Sequence, residues 1–145
     1  MTASEAQDTA ALHLLAVDDH QAELILLEEV CADLPAQLTT FADSEAAWDW
    51  LQTRSAAPPH LILLGLSSRG QGGLAWLQRL RQEPRLASTV VVIRSGRKDA
   101  GTVQAAYQAQ ANAFIPKVDS LLALETQMSG LITFWSGCLL TGQVE

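Results

Sequence analysis

Five short apolar runs punctuate the chain, and longer segments with helical spacing separate them. Residues 12–17, 60–64 and 89–93 are almost continuously apolar. Such runs suit strands buried on both faces of a sheet. The β-branched series Val90, Val91, Val92, Ile93 makes the last of these the clearest. Residues 37–41 and 113–115 read as two further strands. Between them, residues 21–34, 44–54, 74–82, 99–109 and 121–139 read as helices. Pro35 stops the first helix, Asp43 or Ser44 caps the second, and Asp119 caps the last. Pro58-Pro59 breaks the chain before the third strand.

The resulting order is strand–helix repeated five times. Continuous apolar strands alternating with helices predict a parallel sheet covered on both faces, joined by right-handed crossovers. Of the doubly wound orders, five strands favour the flavodoxin-like 2-1-3-4-5. The reading is therefore one α/β domain over residues 12–140, with flexible tails at 1–11 and 141–145. No internal repeat or linker interrupts it.

Composition narrows the partners. The chain has 145 residues, enough for one domain with a real core, and 48% are apolar, which excludes global disorder. Sixteen acidic residues face nine basic ones, and Lys98 and Lys117 are the only lysines. That balance argues against nucleic acid and against an anionic membrane surface. Cys31 and Cys138 form no CxxC motif and no Cys/His cluster, so a zinc site or disulfide scaffold is not expected. The N-terminus has no basic and apolar leader, and no run approaches the ~20 residues of a membrane span. The expected location is cytoplasmic.

In open α/β sheets, ligands bind where the strands end. After the first strand come Asp18, Asp19 and His20; after the third, Gly65, Leu66, Ser67 and Ser68. Arg94 and Ser95 follow the fourth, and Pro116-Lys117 the fifth. Two carboxylates, a hydroxyl and an ammonium on one edge suit a hard divalent cation together with an oxyanion. His20 reads as a surface residue. The Gly-rich stretch 65–73 lacks the Gly-Lys-Ser/Thr ending of a phosphate-cradling loop. No nucleophile elbow or Ser-His-Asp order is present, so an enzyme such as a small hydrolase is not expected.

Taken together, these landmarks resemble the receiver domain of two-component response regulators over nearly the whole chain. The residues that carry the resemblance are Leu-Leu-Ala-Val-Asp-Asp at the first strand and Leu-Ile-Leu-Leu-Gly-Leu at the third. Ser95, Phe114 and Lys117 complete it. The resemblance implies that Asp18 and Asp19 bind Mg2+, with the backbone carbonyl of Ser67 as a further ligand. It makes Ser95 the switch hydroxyl, Lys117 the phosphate-contacting lysine and Phe114 the aromatic switch position.

One departure bears directly on chemistry. Receivers carry a phosphoaccepting aspartate after the apolar run of the third strand, and here that position is Gly65. Glycine has no nucleophile, so no acyl phosphate forms there. Other departures surround it. Arg69 stands where proline is usual, Gly72-Gly73 where Asp-Gly is usual and Val118 where a second proline is usual. Arg94 occupies a normally apolar strand position. Clustered departures read as a natural pseudo-receiver rather than a single inactivating substitution. Mg2+ is then not required and binds weakly at most.

The last helix adds a second expectation. Wound at about 100° per residue, Leu121, Leu124, Met128, Leu131, Ile132, Trp135, Cys138 and Leu139 fall within roughly 120°, and Phe134 widens the arc to about 160°. The segment Leu131-Ile132-Thr133-Phe134-Trp135 resembles the final helix of phytochrome-associated single-domain response regulators. In that subfamily a Phe-Trp pair takes part in homodimer contacts. The expected function is a stand-alone response-regulator-like protein of bacterial phosphorelay signalling, acting through protein contacts. Its expected partners are a sensor histidine kinase of bacteriophytochrome-like type and a second copy of itself. The alternative is a ligand-free dimerisation or scaffold module on the same fold.

Overall fold

A computed structural model describes residues 11–53, 57–67, 72–138 and 140. Its elements run β1 Leu12–Val17, α1 Gln21–Cys31, β2 Ala36–Phe41, α2 Ser44–Thr53, β3 Leu61–Leu64 and α3 Gly73–Gln82. They continue with β4 Val90–Ser95, α4 Ala100–Gln108, β5 Ala113–Pro116 and α5 Leu121–Ser136. The five strands form one parallel sheet in the order β2-β1-β3-β4-β5. The predicted class and strand order are both observed.

Alternation along the strands sorts side chains into two layers. Leu15, Val17, Ile62, Leu64, Val91 and Ile93 face α2, α3 and α4, where Trp48, Leu51, Trp76, Leu77 and Leu80 cover them. Leu12, Leu14, Ala16, Leu61, Leu63, Val90 and Val92 face α1 and α5, where Leu24, Leu27, Leu124, Met128 and Ile132 cover them. A strand in a parallel sheet is buried on both faces, and that is why these runs are continuously apolar. Trp48 and Trp76 are core residues meeting edge-on at 6.1 Å, and Trp50 packs on Phe41. Cys31 and Cys138 are free thiols, and burial pushes Cys31 up to about 11, so it is an inert apolar position.

Several boundaries differ from expectation, each for a local reason. The first helix ends at Cys31, not residue 34, because the chain turns there. Leu34 donates its N–H to Cys31, and the following Pro35 disfavours helical backbone at Leu34. The last helix is capped by Ser120, whose hydroxyl accepts from the Ala123 N–H at 3.1 Å; Asp119 lies one residue too early. It ends at Ser136, with Gly137 as its cap. Arg94 and Ser95 belong to β4 itself, paired with Ile115 and Pro116 of β5. Ser68, Arg69, Leu139, Arg54 and both expected tails, apart from Ala11, lie outside the described residues.

At the β5 edge, Lys117 donates inward to the Ser95 carbonyl, so the N–H of Phe114 faces outward. The Tyr107 hydroxyl accepts that N–H at 3.1 Å, and Pro116 has none to offer. The open edge is thereby denied as a template for strand pairing.

Candidate functional site at the carboxyl edge of the sheet

Asp18 leaves β1 still in the ladder, donating its N–H to Phe41 of β2 at 3.1 Å. Gly65 leaves β3 in the same way, donating to Val17 at 2.8 Å. The two are therefore neighbours across the sheet edge. The Asp18 side chain is buried, with 6% of its surface exposed. Its Oδ1 accepts from the His20 N–H at 2.9 Å, and its Oδ2 pairs with Lys117 Nζ at 2.8 Å. His20, the first-turn cap position of α1, brings Nδ1 within 3.1 Å of both Asp18 Oδ1 and Asp19 Oδ1 and within 3.4 Å of Lys117 Nζ. The Asp19 contact lacks hydrogen-bond geometry, since Asp19 Oδ1 is buried without a hydrogen bond among the described residues.

Gly65 explains why this arrangement fits. Its backbone lies outside the left-handed region, so any residue is compatible with the local conformation. The space is what is taken. A Cβ on Gly65 would meet Asp18 Cγ and Oδ2 at 3.0 Å and the Val17 carbonyl at 3.3 Å. The Asp18 carboxylate leans over the missing side chain, and Lys117 reaches across to it. Gly73, in contrast, is a packing glycine: a Cβ there would collide with the Gly65 carbonyl and the Leu66 backbone, because α3 begins tucked beneath that loop.

Of the remaining sequence-predicted residues, Ser67 and Ser95 lie at the same edge. Ser95 is buried, and its Oγ accepts from the Arg97 N–H at 3.0 Å. The Ser67 carbonyl accepts from the Asp19 N–H at 3.3 Å, while the rest of Ser67 is exposed. Phe114 is half-buried and packs against the α2/α3/α4 layer. Phe134 and Trp135 lie far along α5, stacked edge-on at 5.0 Å. Trp135 packs into the α1/α5 layer, and Phe134 is 63% exposed.

The donor set fits Mg2+ poorly. A tight site needs several free oxygen ligands with charge. Here Asp18 is committed to Lys117 and His20, Gly65 contributes no side chain, and only Asp19 keeps a carboxylate oxygen without a hydrogen bond.

Two features are not apparent from the sequence pattern. His20 is exposed, yet it touches both carboxylates and the lysine. Arg94 is a buried guanidinium with 3% of its side chain exposed. Its Nη2 pairs with Glu23 Oε2 of α1 at 3.0 Å, and its Nε lies 3.5 Å from Gln127 Oε1 of α5. An arginine inside an otherwise apolar strand is the available signal, because a buried charge requires a partner. Its partners come from helices remote in sequence, and spacing does not reveal them.

Comparison with known proteins gives this geometry its context. The response regulator Rcp1 of Synechocystis sp. is 28% identical over 128 residues, covering 84% of this chain and 87% of that one. The structure of the phosphorylated cyanobacterial phytochrome response regulator RcpA superposes with a TM-score of 0.82 at 25% identity. It covers 90% of this chain and 99% of that one. The Mn2+-bound form of Rcp1 superposes with a TM-score of 0.76 at 27% identity, over 87% and 95% of the two chains. The response regulator receiver domain model matches residues 14–128. With that match spanning both layers and every strand, the chain belongs to the response regulator receiver family.

Proposed function

We propose that this protein is a stand-alone response regulator that signals through protein contacts without aspartyl phosphorylation. The observation that carries the reading is Gly65 at the acceptor position, with the Asp18–Lys117 ion pair closing over the gap. An acyl phosphate needs a carboxylate nucleophile there, and Asp18 is held by a lysine instead. Relatives at 25–28% identity are phytochrome response regulators or Rcp1 itself, and this supports a sensor histidine kinase of phytochrome type as the partner. The protein has no catalytic role of its own and works in the cytoplasm; no helix among the described residues is long and apolar enough to cross a membrane. Mg2+ binds weakly, since Lys117 supplies the positive charge that a metal would bring to Asp18.

Incubation with acetyl phosphate and Mg2+ tests the central claim. Intact mass spectrometry should find the chain unchanged. A stable phosphoryl adduct mapping to the Asp18/Asp19 edge would overturn it.

The protein also forms a homodimer through α5. Phe134 is largely exposed near the end of the helix while the neighbouring Trp135, half-buried, packs against the α1/α5 core. Exposed aromatics of this kind mark interaction surfaces, and a twofold contact is the commonest solution. Light scattering should find a dimer at tens of micromolar (~10–50 µM, the range where a modest interface is populated). Phe134→Glu should make it a monomer with an unchanged far-ultraviolet spectrum. A wild-type monomer would end the proposal. The scaffold alternative is separated by kinase binding: a pure dimerisation module retains no affinity for the kinase.

A further inference from the structure

The two edges of the sheet are finished differently. Tyr107 and Pro116 close the β5 edge. At the other edge, β2 pairs with β1 in unbroken register over six residues. Phe41 turns its carbonyl inward to Asp18, so by alternation Thr39 and Gln37 also bond inward. Leu38 and Thr40 therefore turn their N–H and C=O groups outward, where these have no hydrogen bond among the described residues. The strand Ala36–Phe41 carries no charge and no proline, two of the usual devices that blunt an open edge.

The surroundings of this edge carry charge of one sign. No lysine or arginine occurs among residues 1–53, which hold eleven of the sixteen acidic residues. Helices α1 and α2 both pack on β2. They bring exposed Glu28 and Glu29 on α1, Asp33 just beyond it and Asp49 on α2. None of these four has an ion pair among the described residues, whereas Glu23 and Glu45 are matched by Arg94 and Arg79. A second copy pairing β2 with β2 would set the same carboxylates against each other, and like charge opposes that contact. A strand with basic ends meets attraction instead. On the face that carries Gln37 and Thr39, a cavity of about 170 Å³ opens against Trp50 and Pro59, and its size suits one aliphatic side chain.

We propose that the β2 edge binds an extended segment of a partner protein by strand addition, the segment being uncharged and β-prone at its centre and basic at its ends. Main-chain hydrogen bonds to Leu38 and Thr40 supply affinity. The acidic flanks select the partner and turn away a second copy. This surface is separate from the Gly65 site and from Phe134, and a partner strand reaches it whatever those regions do.

The test titrates the full chain with a synthetic peptide of alternating Val and Thr that carries a Lys pair at each end. One control peptide has Glu in place of Lys, and another is N-methylated at its central amides. Binding of the Lys peptide should slow hydrogen exchange at the outward Leu38 and Thr40 amides, and its affinity should fall as salt rises. Both control peptides should bind about tenfold more weakly or worse, the scale of a lost hydrogen bond or charge contact. Thr40→Pro removes one outward donor at an edge position that tolerates proline, and should weaken binding about fivefold or more. If Thr40→Pro does not fold, the exchange pattern of the wild type decides alone. Absence of binding by the Lys peptide overturns the proposal, as does equal binding of either control. Unslowed Leu38 and Thr40 amides in the complex overturn it too, as does full affinity in a folded Thr40→Pro. Without peptide, Phe134→Glu should leave both amides exchanging freely. A Phe134→Glu dimer with slowed exchange at Leu38 and Thr40 would make a second copy the occupant, which also overturns the proposal.

Discussion

The two layers flanking the sheet are built from different materials. The α2/α3/α4 layer is built on large aromatics: Trp48 and Trp76 fill it, and Trp76 donates its Nε1–H to the Ser44 carbonyl at 2.9 Å. Arg79 keeps its charge at the surface, stacking 3.9 Å from the Trp48 ring and pairing with Glu45. The α1/α5 layer is aliphatic, with Leu24, Leu27, Leu124 and Met128. It takes in the buried Arg94–Glu23 pair, and its helices leave Ile25, Leu26, Leu121, Leu122 and Phe134 exposed.

That contrast separates stability from function. Large aromatic packing with charges outside is what a core needs. Charge inside and apolar surface outside both cost stability, and they persist where a partner or ligand repays them. Under the proposed function the α1/α5 layer is the one offered to other molecules, while the opposite layer holds the sheet that positions it.

The sharpest test of the contrast is Trp76→Ala, which should destabilise by about 3–5 kcal/mol in urea unfolding, the range for a buried aromatic truncated to alanine. A cost under half of that would mean the aromatic layer is not the stabilising one. Next in size is Glu23→Ala, which strands Arg94. Because Glu23 is a quarter exposed, the expected loss is roughly 2–3 kcal/mol, below the full range for a buried pair. Adding Arg94→Met should recover most of it, and a double mutant no better than Glu23→Ala would show that the charge is not the cause.

Gly65→Asp should cost about 1 kcal/mol without metal, since its Cβ crowds Asp18 at 3.0 Å and adds a like charge. Mg2+ should then raise its melting temperature more than that of the wild type. Equal Mg2+ responses in the two proteins would show that the missing carboxylate is not what limits metal binding.

The smallest effect is the pH dependence at the opposite end of the sheet. His60 Nδ1 accepts the His13 N–H at 3.0 Å, and burial, then the neighbouring His13, lowers its pKa from 6.5. A His with a depressed folded pKa is protonated first in the unfolded chain. Its contribution is complete above pH 6.5 and is lost as pH falls through the folded value. His60→Asn, which keeps an acceptor, should flatten the stability profile below neutrality. An unchanged profile would place the acid sensitivity elsewhere.

Much of this architecture is written in the order of residues. Continuous apolar strands with interleaved amphipathic helices specify a doubly covered parallel sheet, because burial on two faces admits no polar alternation. The carboxyl-edge residues Asp18, Asp19, Ser95 and Lys117 follow from where strands end. Gly65 after the third strand is likewise visible as a residue type. Helix caps are less legible: Asp119 and Ser120 are both good cap residues, and backbone geometry alone distinguishes them.

Pairing is the part that composition and spacing leave open. Lys117 lies 99 positions from Asp18, and Arg94 is 71 from Glu23. Local periodicity constrains neighbours within a few turns, whereas ion pairs depend on where separate elements come to rest. That Lys117 faces Asp18 directly is settled only once β1 and β5 have come to rest in the same sheet. The same holds for Arg94, whose charge is plain in the chain but whose burial and pairing with Glu23 arise from the packing of α1 and α5 over β4.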